Sequence, residues 1–452
     1  MMNLCKKTII LLQIVFLLSC SINTRNKKED FSYPEYSSEI IWDIKTDFTT
    51  AYPNFYQEDN YLYSTEKIEQ KGIFGFLSKI NLLNGNYEWK SDEFPFSDLR
   101  SAPIVVNDYI FIHTHCSPDY FTDENGEDFD GCLYVFDKRT GKKLATIKLW
   151  ITDEDYDFLT NTIHMISYDS KIIWAGYGVF LFDISQIDFS INPNKKQQIV
   201  PKRIWQDEKY DLNIAMHPVC DNGIIYFQTY DGNGYNYELP TRSRIIAYDI
   251  NNETELWHHD CKKLYGYGRN NLIIVNDKLY IIEQGIGCFD LKTGRCYHES
   301  IQSLEDLMHE DDINGGIFSD GIAYHDGKFF YTNISSWSSS SITGIPEKNI
   351  HNIICLDAKT LKFVWGQLPK DSGSQSACPT VINGKVFIPL WLQGLCVLDE
   401  KTGQILGIDT SIISFGSAKS FTYNGIAYFM DYGDRRGNNN SSNQTRLVAI
   451  RP

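Results

Sequence analysis

After residue 20 the sequence has no second apolar run that could cross a membrane as a helix. The early run from Thr8 to Leu18 is itself too short, because a bilayer-spanning helix needs about 20 apolar residues. Any membrane attachment is therefore expected to use a lipid and not a spanning helix.

The sequence also lacks an excess of positive charge. It carries 42 Lys and Arg against 58 Asp and Glu, which gives a formal net charge of -16. Nucleic-acid binders neutralise phosphates with a basic face, so a nucleic-acid partner is not expected.

Several catalytic signatures are missing as well. The chain contains no Gly-x-Ser-x-Gly elbow, no phosphate-binding Walker loop and no His-Glu-x-x-His zinc motif. We therefore expect no catalytic residues and no enzymatic activity.

The first residues have the pattern of a secretion signal. Lys6 and Lys7 precede the apolar run, and Leu17-Leu18-Ser19-Cys20 follows it. This ending looks like a bacterial lipobox, which predicts a signal peptide over 1–19 and lipidation of Cys20. An ordinary signal peptide that happens to contain a cysteine is the alternative. Residues 20–37 are polar and predict a lipidated, flexible tether, and Ser21 in place of Asp favours an outer-membrane location.

The remaining chain, 38–452, is organised around a unit that is clearest between Asn383 and Gly403. Asn383-Gly384 predicts a tight hairpin turn, because both residues tolerate positive φ. Two nearly continuous apolar strands follow, ending in Asp399 and a turn that contains Gly403. Strands without polar alternation are buried on both faces.

About eight copies of this unit can be counted. Each has an Asn-, Asp- or Gly-containing hairpin turn, and seven have an apolar strand that ends in Asp or Asn. The eighth copy ends near Arg451. The strand-ending residues are Asn81, Asp137, Asp183, Asp249, Asp290, Asp357 and Asp399.

A tryptophan eight residues after the Asp position is the third signal. It occurs at Trp89, Trp257 and Trp365, and Trp205 takes this place in the third repeat after an insertion. A repeat of roughly 40 to 65 residues is typical of a propeller blade. The last repeat lacks a fourth strand, and Glu39–Ile44 with Trp42 can supply it. The sequence thus predicts an all-β, eight-bladed β-propeller of four-stranded antiparallel blades, with its ring closed by the N-terminal strand.

The pattern Asp-x-x-Thr-Gly-x-x-x-Trp resembles the tryptophan-docking repeat of quinoprotein (PQQ)-type eight-bladed propellers. The best copies run from Ala247 to Trp257 and from Leu356 to Trp365. A lipidated propeller without other domains is similar to BamB-type outer-membrane assembly lipoproteins. The resemblance implies a blade-docking role for Trp42, Trp89, Trp205, Trp257 and Trp365.

Quinoprotein enzymes of this family resemble the chain in fold and would bring a vicinal disulfide, a calcium site and often a haem domain. The sequence has no adjacent Cys pair and no Cys-x-x-Cys-His, and the calcium ligands cannot be placed on particular residues. We therefore expect no cofactor. The repeated Asp residues are interpreted as turn formers and not as catalytic bases.

Two weaker metal candidates and two cysteine pairs stay open at this stage. His113, His115, Cys116 and Cys132 could bind zinc, although a structural cysteine pair beside two histidines is favoured. The acidic run 123–130 could bind calcium weakly. Cys116 with Cys132, and less strongly Cys220 with Cys261, could form disulfides. Cys288, Cys355 and Cys396 are expected to be buried free thiols in third strands.

Long connections are expected to concentrate on one face of the propeller. The second-to-third-strand connections are long in the second, fourth, sixth and eighth repeats, and such faces carry functional loops. Their aromatic residues lie among acidic ones and predict a partner-binding face. This predicted face consists of Tyr120, Phe121, Phe129, Tyr235, Tyr237, Trp337 and Tyr432.

Together these features predict a monomeric, non-enzymatic lipoprotein scaffold that binds a protein partner in the cell envelope at the outer membrane. The alternative is a dedicated binder, such as an immunity lipoprotein that neutralises a toxin, or a glycan-binding protein. A PQQ- or metal-dependent enzyme is the third class.

Overall fold

The computed structural model describes part of the chain, and its gaps fall between strands. The described residues are 33–46, 55–67, 74–95, 102–114, 132–149, 164–175, 178–206, 212–214, 218–231, 243–262, 264, 271–282, 286–300, 322–332, 353–367, 378–390, 394–412, 420–431 and 445–452. The chain divides into two compact units, Met1–Pro34 and Glu35–Pro452, and the strands lie in the second. No helix in the described ranges is long and apolar enough to cross a membrane.

The second unit is the predicted eight-bladed β-propeller of four-stranded antiparallel blades. The strands of blades 1 to 4 are as follows. Blade 1 contains β2 (Phe55–Glu58), β3 (Tyr61–Lys67), β4 (Phe74–Asn81) and β5 (Tyr87–Lys90), with β6 (Phe94–Pro95) beside β4. Blade 2 contains β7 (Ile104–Val106), β8 (Tyr109–His113), β9 (Cys132–Asp137) and β10 (Lys143–Leu149). Blade 3 contains β11 (His164–Tyr168), β12 (Lys171–Ala175), β13 (Val179–Asp183) and β15 (Lys202–Trp205). Blade 4 contains β16 (Leu212–Ile214), β17 (Val219–Asp221), β18 (Ile224–Asp231), β19 (Ser243–Asp249) and β20 (Thr254–Cys261).

Blades 5 to 8 repeat the same order. Blade 5 contains β21 (Asn271–Val275), β22 (Lys278–Ile282), β23 (Ile286–Asp290) and β24 (Cys296–Ser300). Blade 6 contains β25 (Ile322–His325), β26 (Lys328–Thr332), β27 (Ile353–Asp357) and β28 (Phe363–Gln367). Blade 7 contains β29 (Thr380–Ile382), β30 (Lys385–Leu390), β31 (Gly394–Asp399) and β32 (Ile405–Asp409). Blade 8 contains β33 (Phe421–Tyr423), β34 (Ile426–Asp431), β35 (Thr445–Arg451) and the N-terminal strand β1 (Glu39–Thr46).

The N-terminal strand closes the ring, as the sequence predicts. β1 pairs antiparallel with β35 over its length, from Glu39 opposite Arg451 to Thr46 opposite Thr445. Without β1, the backbone hydrogen-bonding groups along one edge of β35 would be unpaired.

The insertion in blade 3 separates its third strand from its fourth. It contains a short 3-10 helix, Ile184–Gln186, capped by the Asp183 carboxylate, which accepts a hydrogen bond from the Ser185 N–H. It also contains β14 (Lys196–Ile199), which pairs in parallel with β10 of blade 2. The insertion therefore ties blade 3 to its neighbour.

First strands are innermost and fourth strands outermost. The first strands of neighbouring blades contact one another around the ring, as β7 does with β11 and β29 with β33. Second and third strands are almost entirely buried, whereas the fourth strands carry exposed residues.

Among the residues that the structure describes, the core consists of eight apolar clusters, one at each junction between neighbouring blades. Successive residues of a central strand enter different clusters. In β30, Val386 and Ile388 pack towards blade 6, while Phe387 packs towards blade 8. Both faces of each blade are buried, which explains why strands such as this one show no polar alternation.

Candidate functional site

The two faces of the propeller are built differently. One face carries all eight connections between first and second strands, each a two-residue turn. Residues in these turns have positive φ, for example Asn107 at 55° and Asn383 at 52°. Asn, Asp and Gly accept this conformation with little strain, so the turns predicted from the sequence are formed.

The same face carries the turns between third and fourth strands, which Asp side chains hold closed. The Asp137 carboxylate accepts hydrogen bonds from the Thr140 N–H and hydroxyl, both at 2.7 Å. Asp290, Asp357 and Asp399 accept the matching pair from a Thr three residues later. These turns span five residues in several blades, such as 138–142.

The hydrogen bonds that the Asp carboxylates accept lower their pKa values. The Thr hydroxyl is the largest cause at Asp137, Asp290, Asp357 and Asp399. At Asp183 the largest cause is the Ser185 hydroxyl, and at Asp249 it is the Asn252 N–H. A carboxylate held ionised by turn donors is a poor proton acceptor, so this geometry fits a turn former.

The opposite face, called here the loop-rich face, receives the second-to-third connections and the links between blades. The chain between second and third strands is long in alternate blades and very short in blades 3, 5 and 7. The predicted aromatic binding residues Tyr120, Phe121, Phe129, Tyr235, Tyr237, Trp337 and Tyr432 lie outside the described residues, as does Cys20.

Strand ends at the loop-rich face are polar and yet buried. Thr65 and Glu66 lie near the end of β3, His113 ends β8 and is followed by Thr114, and Thr332 ends β26. All five are at most 5% exposed. The preceding residues of these strands, further from the loop-rich face, are mostly buried and apolar. Together these buried polar residues form a polar floor beneath the loop-rich face.

Hydrogen bonds within this floor join the second and third strands of a blade. In blade 4 the Gln228 side-chain N–H donates to the Ser243 hydroxyl at 2.6 Å. In blade 2 the Thr114 hydroxyl donates to the Cys132 carbonyl at 3.2 Å. This floor was not predicted from the sequence, where its only signal is the polar residue that ends several otherwise apolar second strands.

The five tryptophans predicted to dock blades lie on outermost strands and pack against the following blade. Trp42, Trp89, Trp257 and Trp365 each cover a glycine in the next blade's third-to-fourth turn, where a Cβ atom would come within 2.8 Å of the indole ring. Trp205 instead packs edge-on against Phe227 of blade 4, with ring centroids 4.9 Å apart. The covered glycines are Gly85, Gly141, Gly294 and Gly403.

The indole N–H groups fix these contacts. Trp42, Trp257 and Trp365 donate to the carbonyls of Leu82, Leu291 and Glu400 at 3.2, 3.1 and 3.0 Å. Each acceptor is the residue directly after the strand-ending Asn or Asp. A tyrosine shares the same acceptor at two of these turns: Tyr226 at Leu291 and Tyr428 at Leu82.

The cysteine predictions have mixed outcomes. Cys288, Cys355 and Cys396 are buried free thiols in third strands, and burial raises the pKa of the latter two to about 12. The Cys220–Cys261 disulfide is wrong: both thiols are free. Cys220 lies beside the first hairpin turn of blade 4, and Cys261 ends its fourth strand at the opposite face.

The metal candidates from the sequence fall largely outside the described residues. His115, Cys116 and the acidic run 123–130 belong to that part of the chain. His113 is buried at the end of β8, and its ring packs edge-on against Trp174 of blade 3 with centroids 6.3 Å apart.

Within the described ranges, one group of three His, Cys, Asp or Glu side chains is close enough together to hold a metal ion: His259, Cys296 and Glu299. It lies between the outermost strands of blades 4 and 5, away from the first strands around the axis.

Comparisons with known proteins agree on the fold. No protein-family model and no curated protein sequence matches the chain. The crystal structure of BamB from Moraxella catarrhalis is similar, with 13% identity and a TM-score of 0.54, covering 92% of this chain and 98% of that one. A europium-containing methanol dehydrogenase has 13% identity and a TM-score of 0.60, with 93% and 96% covered. The computationally designed Ika8 protein has 11% identity and a TM-score of 0.54, with 92% and 100% covered.

These neighbours show the propeller fold predicted from the repeats and nothing finer. At such identities a shared fold is compatible with unrelated functions, and the neighbours include both BamB and a dehydrogenase.

Proposed function

We propose that this chain is a non-enzymatic lipoprotein of the cell envelope whose propeller is a scaffold for a protein partner, bound through the loop-rich face. The observation that carries the proposal is the difference between the two faces. One face consists of tight turns closed by their own hydrogen bonds, and the other has a polar floor under long connections in alternate blades. Binding residues concentrate on loops that a rigid scaffold positions.

We further propose that the protein is monomeric, anchored to the outer membrane by a lipid on Cys20, and works in outer-membrane assembly as BamB-type lipoproteins do. The similarity of the fold to that of BamB supports the proposed role in outer-membrane assembly. The net charge of -16 favours a partner with a basic or mixed surface and an association rate that falls as salt is added. The alternative is that the protein binds a toxin or a glycan and has no role in assembly. This ligand would bind to the same loop-rich face.

Site-specific photocrosslinking in the lipidated, full-length protein tests the binding face. A photoreactive amino acid at Phe121 or Trp337 should give one defined adduct in envelope preparations. The matched control positions are Lys138 and Lys401 in the turns of the opposite face, which should give none. Adducts from the turn positions alone would show that the wrong face was assigned, and the mass of the adduct distinguishes an assembly protein from a toxin or a glycan.

Substitutions then measure how much each aromatic residue contributes. Trp337→Ala and Phe121→Ala should each weaken partner binding by about 1 to 4 kcal/mol, because a few aromatic anchors dominate protein interfaces. The melting temperature should stay nearly unchanged. Lys138→Ala and Lys401→Ala should keep the parent affinity.

A further inference from the structure

The outermost strands of blades 4 and 5 bring together three side chains that commonly bind transition metals. His259 is in β20, and Cys296 and Glu299 are in β24. Their ligand atoms all lie within 4.8 Å of one another, and His259 Nε2 is 3.0 Å from Glu299 Oε2. Both strands run towards the loop-rich face and end there.

Local strand geometry explains why these side chains meet. Trp257 and His259 are two residues apart in β20 and both point towards blade 5, as alternate strand residues do. Cys296 and Glu299 are three residues apart and would normally point in opposite directions. A β-bulge at Tyr297, where Phe289 pairs with Cys296 and Cys288 with His298, restores them to one side.

The surroundings are partly dry and orient the carboxylate. The side chains of His259 and Glu299 are 22% and 8% exposed, and the His259 ring packs against Phe289 with centroids 5.0 Å apart. Glu299 Oε1 accepts a hydrogen bond from the Lys262 backbone N–H at 2.5 Å, which leaves Oε2 directed at His259. Second contacts of this kind hold ligands in place in metal sites.

We propose that His259, Cys296 and Glu299 bind a zinc-like divalent metal ion that joins the last strands of blades 4 and 5. Imidazole, thiolate and carboxylate together are a donor set typical of zinc and unlike the all-oxygen sites of calcium and magnesium. Ligand atoms around a tetrahedral zinc ion lie roughly 3.3 to 3.8 Å apart, given metal–ligand distances of about 2.0 to 2.3 Å. The 3.0 Å between His259 Nε2 and Glu299 Oε2 is close to this spacing, and all three ligand atoms lie within 4.8 Å of one another.

Cys261 lies two residues beyond His259 and packs against the same cluster of apolar residues between blades 4 and 5. A zinc ion held by three protein ligands has a fourth position, which Cys261 or water can fill. The bound ion would link the last strands of the two blades close to their ends at Cys261 and Ser300.

Cobalt and zinc binding by the full-length protein tests the proposal. The chelator-stripped, reduced protein is titrated with Co²⁺, whose thiolate complexes absorb in the near ultraviolet and whose tetrahedral complexes absorb in the visible. We expect a band that saturates and is displaced by Zn²⁺. Cys296→Ser and His259→Gln should each weaken binding at least about 100-fold, since losing even a supporting residue costs 10- to 100-fold.

Cys220→Ser is the matched control, because Cys220 is a free, half-buried thiol at the opposite end of blade 4. It should leave the titration unchanged. The melting temperature of each variant without metal shows whether the variant is folded. His259→Gln should not prevent folding, because the His259 side chain is partly exposed. The proposal is overturned if Co²⁺ gives no thiolate band, if the band survives both ligand substitutions, or if the protein isolated without reductant contains a Cys261–Cys296 disulfide.

Discussion

At the scale of single residues, tryptophan and glycine act as a pair across two blades. Trp365 of blade 6 covers Gly403 of blade 7, and Trp257 of blade 4 covers Gly294 of blade 5. Blade 5 has His298 at the tryptophan position, and the turn that follows it in blade 6 has Leu361 at the glycine position, with φ of 55°. Glycine is thus needed where an indole ring covers the turn, and positive φ alone does not require it.

Alanine substitution of two glycines with the same backbone conformation tests this pairing. Gly403 and Gly384 have φ of 72° and 73°, but only a Cβ at Gly403 would meet Trp365, at 2.5 Å. Gly384→Ala should cost about 1 to 2 kcal/mol of unfolding free energy from the left-handed conformation. Gly403→Ala should cost about 1 to 3 kcal/mol more from the clash. Urea unfolding measures both, and equal losses would contradict the pairing.

Turn aspartates make stability depend on pH. Their folded pKa values are below the ordinary value, so the stability they contribute is complete above the unfolded pKa and is lost as pH falls through it towards the folded pKa. The melting temperature should therefore fall below about pH 4.5. The fall should be shallower when the four Thr hydroxyl donors are removed together by substitution to Val at Thr140, Thr293, Thr360 and Thr402.

Thr422→Val, on an exposed strand residue, is the control for that experiment and should follow the parent curve. If the parent and the fourfold variant lose melting temperature in parallel as pH falls, the threonine hydroxyls do not set the aspartate pKa values.

At the scale of elements, the fourth strand of every blade contains a register shift next to the tryptophan position. In blade 6 the shifted residue is Val364, and Trp365 directly follows it. The shifted residues are partly or largely exposed in several blades: Leu256, Tyr297 and Val364. The bulge turns the next side chain towards the following blade, which positions the tryptophan over its glycine.

The N-terminal strand is the element whose loss should be most damaging. Deleting Glu39 to Ile44 removes most of the pairing with β35 and the Trp42 contact with Gly85 and Leu82. We expect destabilisation by roughly several kcal/mol, through lost burial and an exposed edge. Glu39→Gln, which removes only the exposed ion pair with Arg451, should cost less than about 1 kcal/mol. A deletion variant that unfolds at the parent's temperature would refute closure by this strand.

At the scale of the whole molecule, stability is distributed over eight similar junctions and no single cluster is the core. Each blade buries both faces only because it has two neighbours, so the ring must be complete. Because the blades pack side by side, the two faces of the propeller can differ. One face consists of tight turns, and the other receives the long connections.

Membrane attachment is predicted to depend on one residue. Cys20→Ala should move the protein from the membrane fraction to the soluble fraction, because no later segment is apolar for long enough to hold it. Cys5→Ala, within the predicted signal peptide, should stay in the membrane fraction. Retention of the Cys20 variant after a high-salt wash would refute the lipid anchor.

The sequence by itself determined the number of blades, the hairpin turns and the closing strand. Each of these depends on a few neighbouring residues, such as Asn383-Gly384 or the apolar strand ending at Asp399, whose backbone preferences act locally. Tertiary structure decided which turn each tryptophan covers, because Trp365 and Gly403 belong to different repeats. It also decided that Cys261 lies near Glu299 and Cys296 and not near Cys220. Such contacts depend on the order of strands within a blade and on the bulge at Tyr297, which reverses the side-chain alternation that the sequence alone would predict.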